Sequence, residues 1–356
     1  MNAQRLEAIR DRLHKLRLHA LLITFLPHIR YLTGFSGTNG LCLILPRKQF
    51  FLTDGRYTTQ AREEVRGFQI LIAKKSLGEE AKKRGVLPSG ARIGFEVEHM
   101  NVAELQNWKT LYPRMRFVPT RTVVEALCAV KDESEIDLIR RAVSISDDVF
   151  RKILDVLRPG ISEMDVAAEI IYLHRKLGAE ADAFEPIVAS GFRGALPHAR
   201  ATGKSIKRGE MVTLDFGCRY RGYHSDLTRT VAVGKPTDRA RRMYRIVREA
   251  QQRAVDSARS GMAAKDLDAV ARKHITRAGF GRWFPHSLGH GLGIQVHEAP
   301  RVSASSKDVL KSGNVITIEP GVYVPSVGGV RIEDDVVIRN GFCEILNAAS
   351  KELVVL

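Results

Sequence analysis

The sequence predicts an α/β amino-terminal domain over residues 1–126 and an α+β domain over 127–356 built on an internal pseudo-twofold repeat. Three observations carry this. The length of 356 residues corresponds to about two domains at ~150 residues each. The first part alternates short apolar runs with helical patterns. The second part repeats landmarks at a fixed offset of 101, pairing Gly160 with Gly261, Asp165 with Asp266 and Gly178 with Gly279.

In chain order, residues 1–16 read as a charged amphipathic helix with no apolar signal core, and Glu7 and Asp11 argue against an acid-poor transit peptide. Ala20–Thr24, Gly40–Leu45 and Gln49–Thr53 read as strands, and residues near 59–66 and 101–111 as helices. The pattern breaks over Leu127–Ser134, which places the domain boundary near 127. A long helix then runs from about Glu135 to Leu157, stopped by Pro159-Gly160. Helices starting after Arg158 and Arg259 end near Gly178 and Gly279. Each is followed by strands bearing acidic residues, so a duplicated domain would place its site where the halves meet.

Composition excludes several classes. Hydrophobic residues make up 44% and charged residues 27%, the balance of a globular chain. No apolar stretch approaches the ~18 residues of a membrane span. Cys42, Cys128, Cys218 and Cys343 are scattered with no CxxC pair and read as buried thiols in a reducing cytoplasm. The net charge of +16 raises nucleic acid as a partner. Its densest stretch, Asp238–Arg248, has the helical spacing of a solvated face, and no nucleic-acid-binding signature accompanies it. Neither nucleic acid nor a membrane is expected as a partner.

The chemistry lies in carboxylates on strands. Met211–Gly217 alternates, with Val212, Leu214 and Phe216 on one face and Thr213 and Asp215 on the other. A turn at Arg221-Gly222 leads to Ser225–Val233, a hairpin that brings Asp226 onto the face of Asp215. In the second half Val315, Thr317 and Glu319 share a face of Asn314–Gly321. Arg331, Glu333 and Asp335 share a face of one strand over Gly329–Val337. Four carboxylates within ~5 Å would repel by roughly 3 kcal/mol per pair, about 20 kcal/mol in all. A domain stable by ~5–15 kcal/mol does not absorb that, so convergence requires cations. Asp334 and Asp335 read as solvent-facing strand residues.

His286, His290 and His297 fall in one glycine-rich segment, where Gly289, Gly291 and Gly293 argue against a helix and for backbone brought close to a ligand. His198 sits in the similar stretch Ser190–Ala199. The remaining histidines, His14, His19, His28, His99, His174, His224 and His274, carry no assigned role. Carboxylates with one imidazole suit Mn²⁺, Co²⁺, Fe²⁺ or Zn²⁺. Two such ions ~3.5–4 Å apart could hold a bridging hydroxide at neutral pH.

The ordered series around Asp215, Ser225-Asp226-Leu227-Thr228-Arg229-Thr230, Gly289-His290-Gly291, Ile318-Glu319-Pro320-Gly321 and Val330-Arg331-Ile332-Glu333 resembles the pita-bread metallopeptidases. That group comprises methionine aminopeptidase, aminopeptidase P and prolidase. Tyr31–Gly40 and Thr53–Tyr57 resemble segments of the creatinase/prolidase amino-terminal domain, so the resemblance spans nearly the whole chain. It implies a pita-bread fold for the second domain. It also implies two divalent ions, manganese first among the candidates, with Asp215, Asp226, His290, Glu319 and Glu333 as ligands and Asp226 and Glu333 bridging. Glu319 would shuttle the proton, His198 and His297 would stabilise the tetrahedral intermediate or position the scissile carbonyl, His286 would line the substrate pocket, and Arg331 would orient Glu333 or the substrate.

Within the group, the amino-terminal domain and Arg331 favour the Xaa-Pro branch over methionine aminopeptidase. The expected activity is hydrolysis of the N-terminal Xaa-Pro bond of peptides by an aminopeptidase P-like enzyme, with prolidase as the alternative; Ser190–His198 tips that choice. A cytoplasmic homodimer is implied by the relatives. Cys128 stands where relatives often carry arginine, at the interdomain joint. The complete ligand set argues against the non-catalytic pita-bread binding modules and against metal-free creatinase.

Overall fold

The structure is a computed structural model describing residues 2–325 and 327–356. The chain folds as two compact units, one ending at Cys128 and the other running from Ala129 to Leu356.

The amino-terminal unit contains α1 (Asn2–Lys15), β1 (Ala20–Ile23), α2 (Leu26–Thr33), β2 (Leu41–Ile44), β3 (Gln49–Asp54), α3 (Thr58–Glu64), β4 (Gln69–Ala73), α4 (Leu77–Lys83), β5 (Arg92–Glu96), α5 (Val102–Leu111), β6 (Arg116–Thr120) and α6 (Glu125–Cys128). Its strands form one mixed six-stranded sheet in the order β4-β3-β2-β1-β5-β6. The central strands are apolar throughout because both faces are covered, and β1 and β2 are buried at every position. Helix starts follow side-chain capping where the sequence supplies it: Ser76 opens α4 and Asn101 opens α5, each accepting a backbone N–H three residues on.

The second unit runs α7 (Glu133–Val156), α8 (Glu163–Lys176), β7 (Ala181–Asp182), β8 (Ile187–Ser190), β9 (Glu210–Phe216), β10 (Cys218–Tyr220), β11 (Tyr223–His224) and β12 (Leu227–Val233). It continues with α9 (Asp238–Ser257), α10 (Ala264–Arg277), β13 (Gly289–Gly291), β14 (Glu298–Val302), β15 (Val315–Ile318), β16 (Gly321–Val324), β17 (Gly328–Arg331), β18 (Asp334–Ile338) and β19 (Cys343–Ile345). Asp132 and Glu135 form a reciprocal capping box that starts α7.

The internal repeat is present in the backbone. Helices α8 and α10 have the same length and begin 101 residues apart. Gly160 and Gly261 both take positive φ before them, as do Gly178 and Gly279 after them. The strands that return to the helix entrances match as well: Gly160 N–H donates to Ile206 O, and Gly261 N–H to Leu310 O.

Each half packs its helices against an apolar sheet face. Helices α7 and α8 bury Val149, Phe150, Ile153, Val166 and Ile170 against Val212, Leu214 and Phe216 of β9. Helices α9 and α10 do the same against Ile316, Ile318, Val336 and Ile338. Each fully buried residue of this kind contributes roughly 1.5–3 kcal/mol. The strand period then forces the intervening residues, Asp215 in one half and Thr317 in the other, onto the face away from the helices. The basic stretch of α9 is a solvated face: Arg239, Arg241, Arg242 and Arg245 are exposed while Met243, Tyr244, Ile246 and Val247 are buried.

Two expectations need correction. The run Gly329–Val337 is not one strand. β17 pairs with β16, β18 pairs with β15, and the chain changes partner at Ile332-Glu333, where Glu333 N–H donates to Thr228 O. Cys42, Cys128 and Cys218 are buried thiols, but Cys343 is half-buried. No described helix is long and apolar enough to cross a membrane.

Candidate metal centre

Register places the acids. Strands β9 and β12 are antiparallel with Asp215 opposite Thr228. Asp226 lies two residues before Thr228 and therefore on the same face as Asp215. The Arg221-Gly222 turn makes this possible, since both residues take positive φ between β10 and β11, the geometry of a tight two-residue hairpin. In the second half Ile318 opposes Asp334. Continuing that register brings Glu319 beside Glu333.

The five expected ligands and Arg331, His198, His286 and His297 all line one cleft of about 640 Å³. Ligand atoms of Asp226, His290 and Glu333 lie within 4.8 Å of one another. His290 Nε2 is 3.7 Å from Asp226 Oδ2 and 3.4 Å from Glu319 Oε1. Its other nitrogen, Nδ1, is 3.1 Å from Gly291 O, which fixes the ring so that Nε2 faces the carboxylates. Asp215 pairs with Arg331. His297 is exposed, with its ring centroid 4.2 Å from that of His290, and His198 is exposed on the cleft. His286 is fastened by Tyr323 Oη at 2.9 Å.

Burial dominates the electrostatics. It pushes the carboxyls of Asp226 and Glu333 far above the ordinary carboxylate range, and neighbouring carboxylates add to the shift. Glu319 is pushed up to about 8, again mainly by burial, with Arg331 pulling the other way. Burial lowers His290 and His286 to about 4, keeping both imidazoles neutral at pH 7 and free to act as ligands or hydrogen-bond partners.

The donor set fits divalent cations on a direct observation. Asp215 Oδ1, Asp226 Oδ1, Glu333 Oε1 and Asp335 Oδ1 are buried with no hydrogen-bond partner among the described residues. Buried polar atoms of this kind are nearly always satisfied. Three of these, on Asp215, Asp226 and Glu333, belong to residues that line the cleft with His290, and orphaned carboxylate oxygens beside an imidazole are satisfied together by hard or borderline metal ions.

Asp334 and Asp335 overturn the solvent-facing reading, being 1% and 0% exposed. Asp335 Oδ2 accepts the Asp226 backbone N–H at 2.9 Å and so buttresses a proposed ligand. Asp334 pairs at 2.7 Å with Arg229, also buried. His28, His174 and His224, given no role from sequence, are buried too.

Sequence reasoning missed four residues, two that support the cleft from behind, Thr228 and Tyr323, and two that line it, Glu298 and Arg301. Thr228 Oγ1 donates to Glu333 Oε2 at 2.6 Å and accepts from Arg331 Nε at 3.1 Å. Tyr323 Oη accepts from the Arg331 guanidinium at 2.7 Å. Glu298 lines the cleft, anchored by a buried pair with Lys131 at 2.5 Å. Arg301 lines it as well, its guanidinium near Ser287 Oγ at 3.3 Å. Thr228 was within reach of the sequence, since it alternates with Asp226 on one strand face.

Residues 137–340 match the model of metallopeptidase family M24, and residues 5–130 match the creatinase/prolidase N-terminal domain. The chain belongs to metallopeptidase family M24 and carries the pita-bread catalytic fold of that family behind a creatinase-type amino-terminal domain. It is 37% identical to an Xaa-Pro dipeptidase of Pyrococcus horikoshii over 357 aligned positions, covering 99% of both chains. Among solved structures it is similar to an Xaa-Pro dipeptidase from Bacillus anthracis, with a TM-score of 0.96, 39% identity and full coverage of both chains. It is similar also to an X-Pro aminopeptidase from Thermotoga maritima, with a TM-score of 0.89, 36% identity and coverage of 97% of this chain and 100% of that one.

Proposed function

We propose that this metallo-exopeptidase hydrolyses the Xaa-Pro bond of dipeptides with two divalent ions, manganese being the first candidate. The observation that carries the reading is that Asp215, Asp226, Glu319, Glu333 and His290 line one cleft, with buried oxygens of Asp215, Asp226 and Glu333 left without a hydrogen-bond partner among the described residues. Asp215, Asp226, His290, Glu319 and Glu333 would hold the ions, Asp226 and Glu333 contributing to both. When bound, such ions supply Lewis acidity for the scissile carbonyl and lower the pKa of a nucleophilic water.

The chain's own residues do the rest. Glu319, the most exposed carboxylate of the proposed ligand set at 18%, accepts the proton of the attacking water and passes it to the departing proline nitrogen. His198 and His297, both on the cleft, would stabilise the developing oxyanion by hydrogen bonding. Arg331 holds Asp215 directly and Glu333 through Thr228, so it positions one carboxylate from each half. His286, neutral and tied to Tyr323, lines the substrate side.

Arg301 favours the dipeptidase over the aminopeptidase that the sequence suggested. A guanidinium at the cleft wall takes a free carboxylate in a bidentate fork, and in a dipeptide that carboxylate belongs to the proline itself. A longer peptide puts an amide there and forgoes the charge pair. The relatives named as dipeptidases point the same way.

The test is a paired assay of the Mn²⁺-loaded protein on Ala-Pro and Ala-Pro-Ala, with free alanine followed by mass spectrometry. Cleavage of the dipeptide alone is expected, and Arg301→Ala should raise KM for Ala-Pro with less effect on kcat. Equal cleavage of the tripeptide makes the enzyme an aminopeptidase. Cleavage of neither, with Mn²⁺, Co²⁺ or Zn²⁺, refutes the Xaa-Pro reading.

A further inference from the structure

The amino-terminal unit contains a second cluster of metal-ligating side chains, well apart in sequence from the M24 ligands. One donor atom from each of His28, His99 and Glu125 lies within 4.8 Å of the others. The residues come from three separate places: His28 from α2, His99 from the turn after β5, and Glu125 from the start of α6.

The surroundings are those of a built site. His28 is fully buried, and its Nδ1 is 2.5 Å from Glu96 Oε1. The second oxygen of Glu96 is fixed in turn by the backbone N–H groups of Thr24 and Phe25, at 3.0 and 3.1 Å. A carboxylate that holds one imidazole nitrogen sets the tautomer and presents the other nitrogen as a lone pair, the arrangement found behind metal-bound histidines. That other nitrogen, His28 Nε2, is buried and has no hydrogen-bond partner among the described residues. His99 is held flat against Phe25, with centroids 3.7 Å apart and an interplanar angle of 3°. Its Nε2 is 3.7 Å from Glu125 Oε1. Two ligands of a tetrahedral ion with bonds of about 2.0–2.1 Å sit about 3.3 Å apart, so this pair needs only a small closure.

We propose that His28, His99 and Glu125 form a divalent-metal site of zinc type in the amino-terminal unit. Two imidazoles and one carboxylate select Zn²⁺ or Co²⁺ over Mg²⁺ or Ca²⁺. Three protein ligands leave a fourth position for water, as in exchangeable zinc sites and unlike closed structural ones. His99, with Phe25, also lines a cavity of about 770 Å³ in the same unit.

The experiment uses the full chain carrying Asp226→Asn and Glu333→Gln, which weaken the M24 centre. The protein is equilibrated with Zn²⁺ alone, freed of excess and analysed for zinc. About one zinc per chain should remain, and adding His99→Ala or Glu125→Gln should reduce it at least tenfold. Both positions are partly exposed, at 18% and 22%, so these variants spare the buried His28, and circular dichroism checks that they fold. The zinc K-edge spectrum of the retained ion should show two imidazoles. Absence of retained zinc overturns the proposal, and so does a zinc content that neither substitution lowers. If the M24 centre still holds metal in this background, the His99→Ala difference of one ion per chain remains the readout.

Discussion

The two halves of the catalytic unit share a backbone plan but anchor their loops differently. In the first half Glu163, in the first turn of α8, is fully buried and accepts from Ser190, Arg193 and Thr202, tying down the loop that carries His198. The equivalent position in α10 is Ala264. There Asp268, one turn further along the same helix face, takes over. It accepts Leu288 N–H at 3.0 Å and pairs with Arg272, whose guanidinium also holds Phe284 O and His286 O. Both halves thus spend one buried carboxylate on the loop that brings histidines to the cleft. The duplication preserved the need for an anchor on that face and not the residue that meets it.

The proposed ligands differ in the same way. The first half supplies aspartates, Asp215 and Asp226, and the second supplies glutamates, Glu319 and Glu333, with His290. If the halves contribute equally to one centre, Asp226→Asn and Glu333→Gln should each abolish peptidase activity and lower bound metal, with circular dichroism unchanged. Activity retained in one variant but not the other would break the symmetry and confine the centre to one half.

The loop anchors give the next largest effect. Removing one partner of a buried charged network costs roughly 3–5 kcal/mol. Asp268→Asn should therefore lower the melting temperature and raise KM through His286, while Glu163→Gln should do so through the His198 loop. Thermal melts and steady-state kinetics read both. A melting temperature unmoved by either substitution would make the anchors incidental.

A pH experiment sharpens the electrostatic side. Glu319 is raised to about 8 by burial, and burial raises Asp226 and Glu333 well above the ordinary carboxylate range as well. A raised carboxyl holds its proton in the folded state, so stability is full below the unfolded pKa and falls as pH rises towards the folded one. The depressed His286 and His290 act oppositely, but only below about pH 6.5, the unfolded value for histidine. Metal-stripped protein should thus melt at a lower temperature at pH 8 than at pH 6.5. Mn²⁺ should stabilise it more at pH 8, because binding then displaces fewer protons. A flat profile from 6.5 to 8 in chelator would contradict the burial argument.

Much of this was legible in the chain, and the exceptions share a cause. Asp215 was readable because strict alternation put it opposite Leu214 and Phe216, and the repeat was readable because glycines at positive φ resist replacement. Asp335 was not, because what buries it is the Asp226 N–H, 109 residues away in sequence. The break at Ile332-Glu333 was equally silent. No glycine or proline marks it, and the change of partner depends on Thr228 O receiving the Glu333 N–H. Arg301 meets Ser287 only once the fold brings β14 beside the segment that precedes β13.

The smallest effect returns to the helices themselves. Ser162 caps α8 in a reciprocal box with Asp165, whereas α10 begins at Ala263 with no side-chain cap. The Ala263 backbone is already extended, at φ −67 and ψ 132, the conformation a capping residue needs. Asp266 stands at the matching third position, so Ala263→Ser would create the box that the first half already has. Caps of this kind are worth about 0.5–2 kcal/mol. Ser162→Ala should lose that much and Ala263→Ser should gain a comparable amount, the double variant lying near the parent because the sites do not touch. Denaturant titration of the three variants measures it. A gain at Ala263 would show that the second half lost its cap without any compensating strain. No gain would mean that the bridge between Ala263 and Val309 already fixes the helix entrance as firmly as a hydroxyl could.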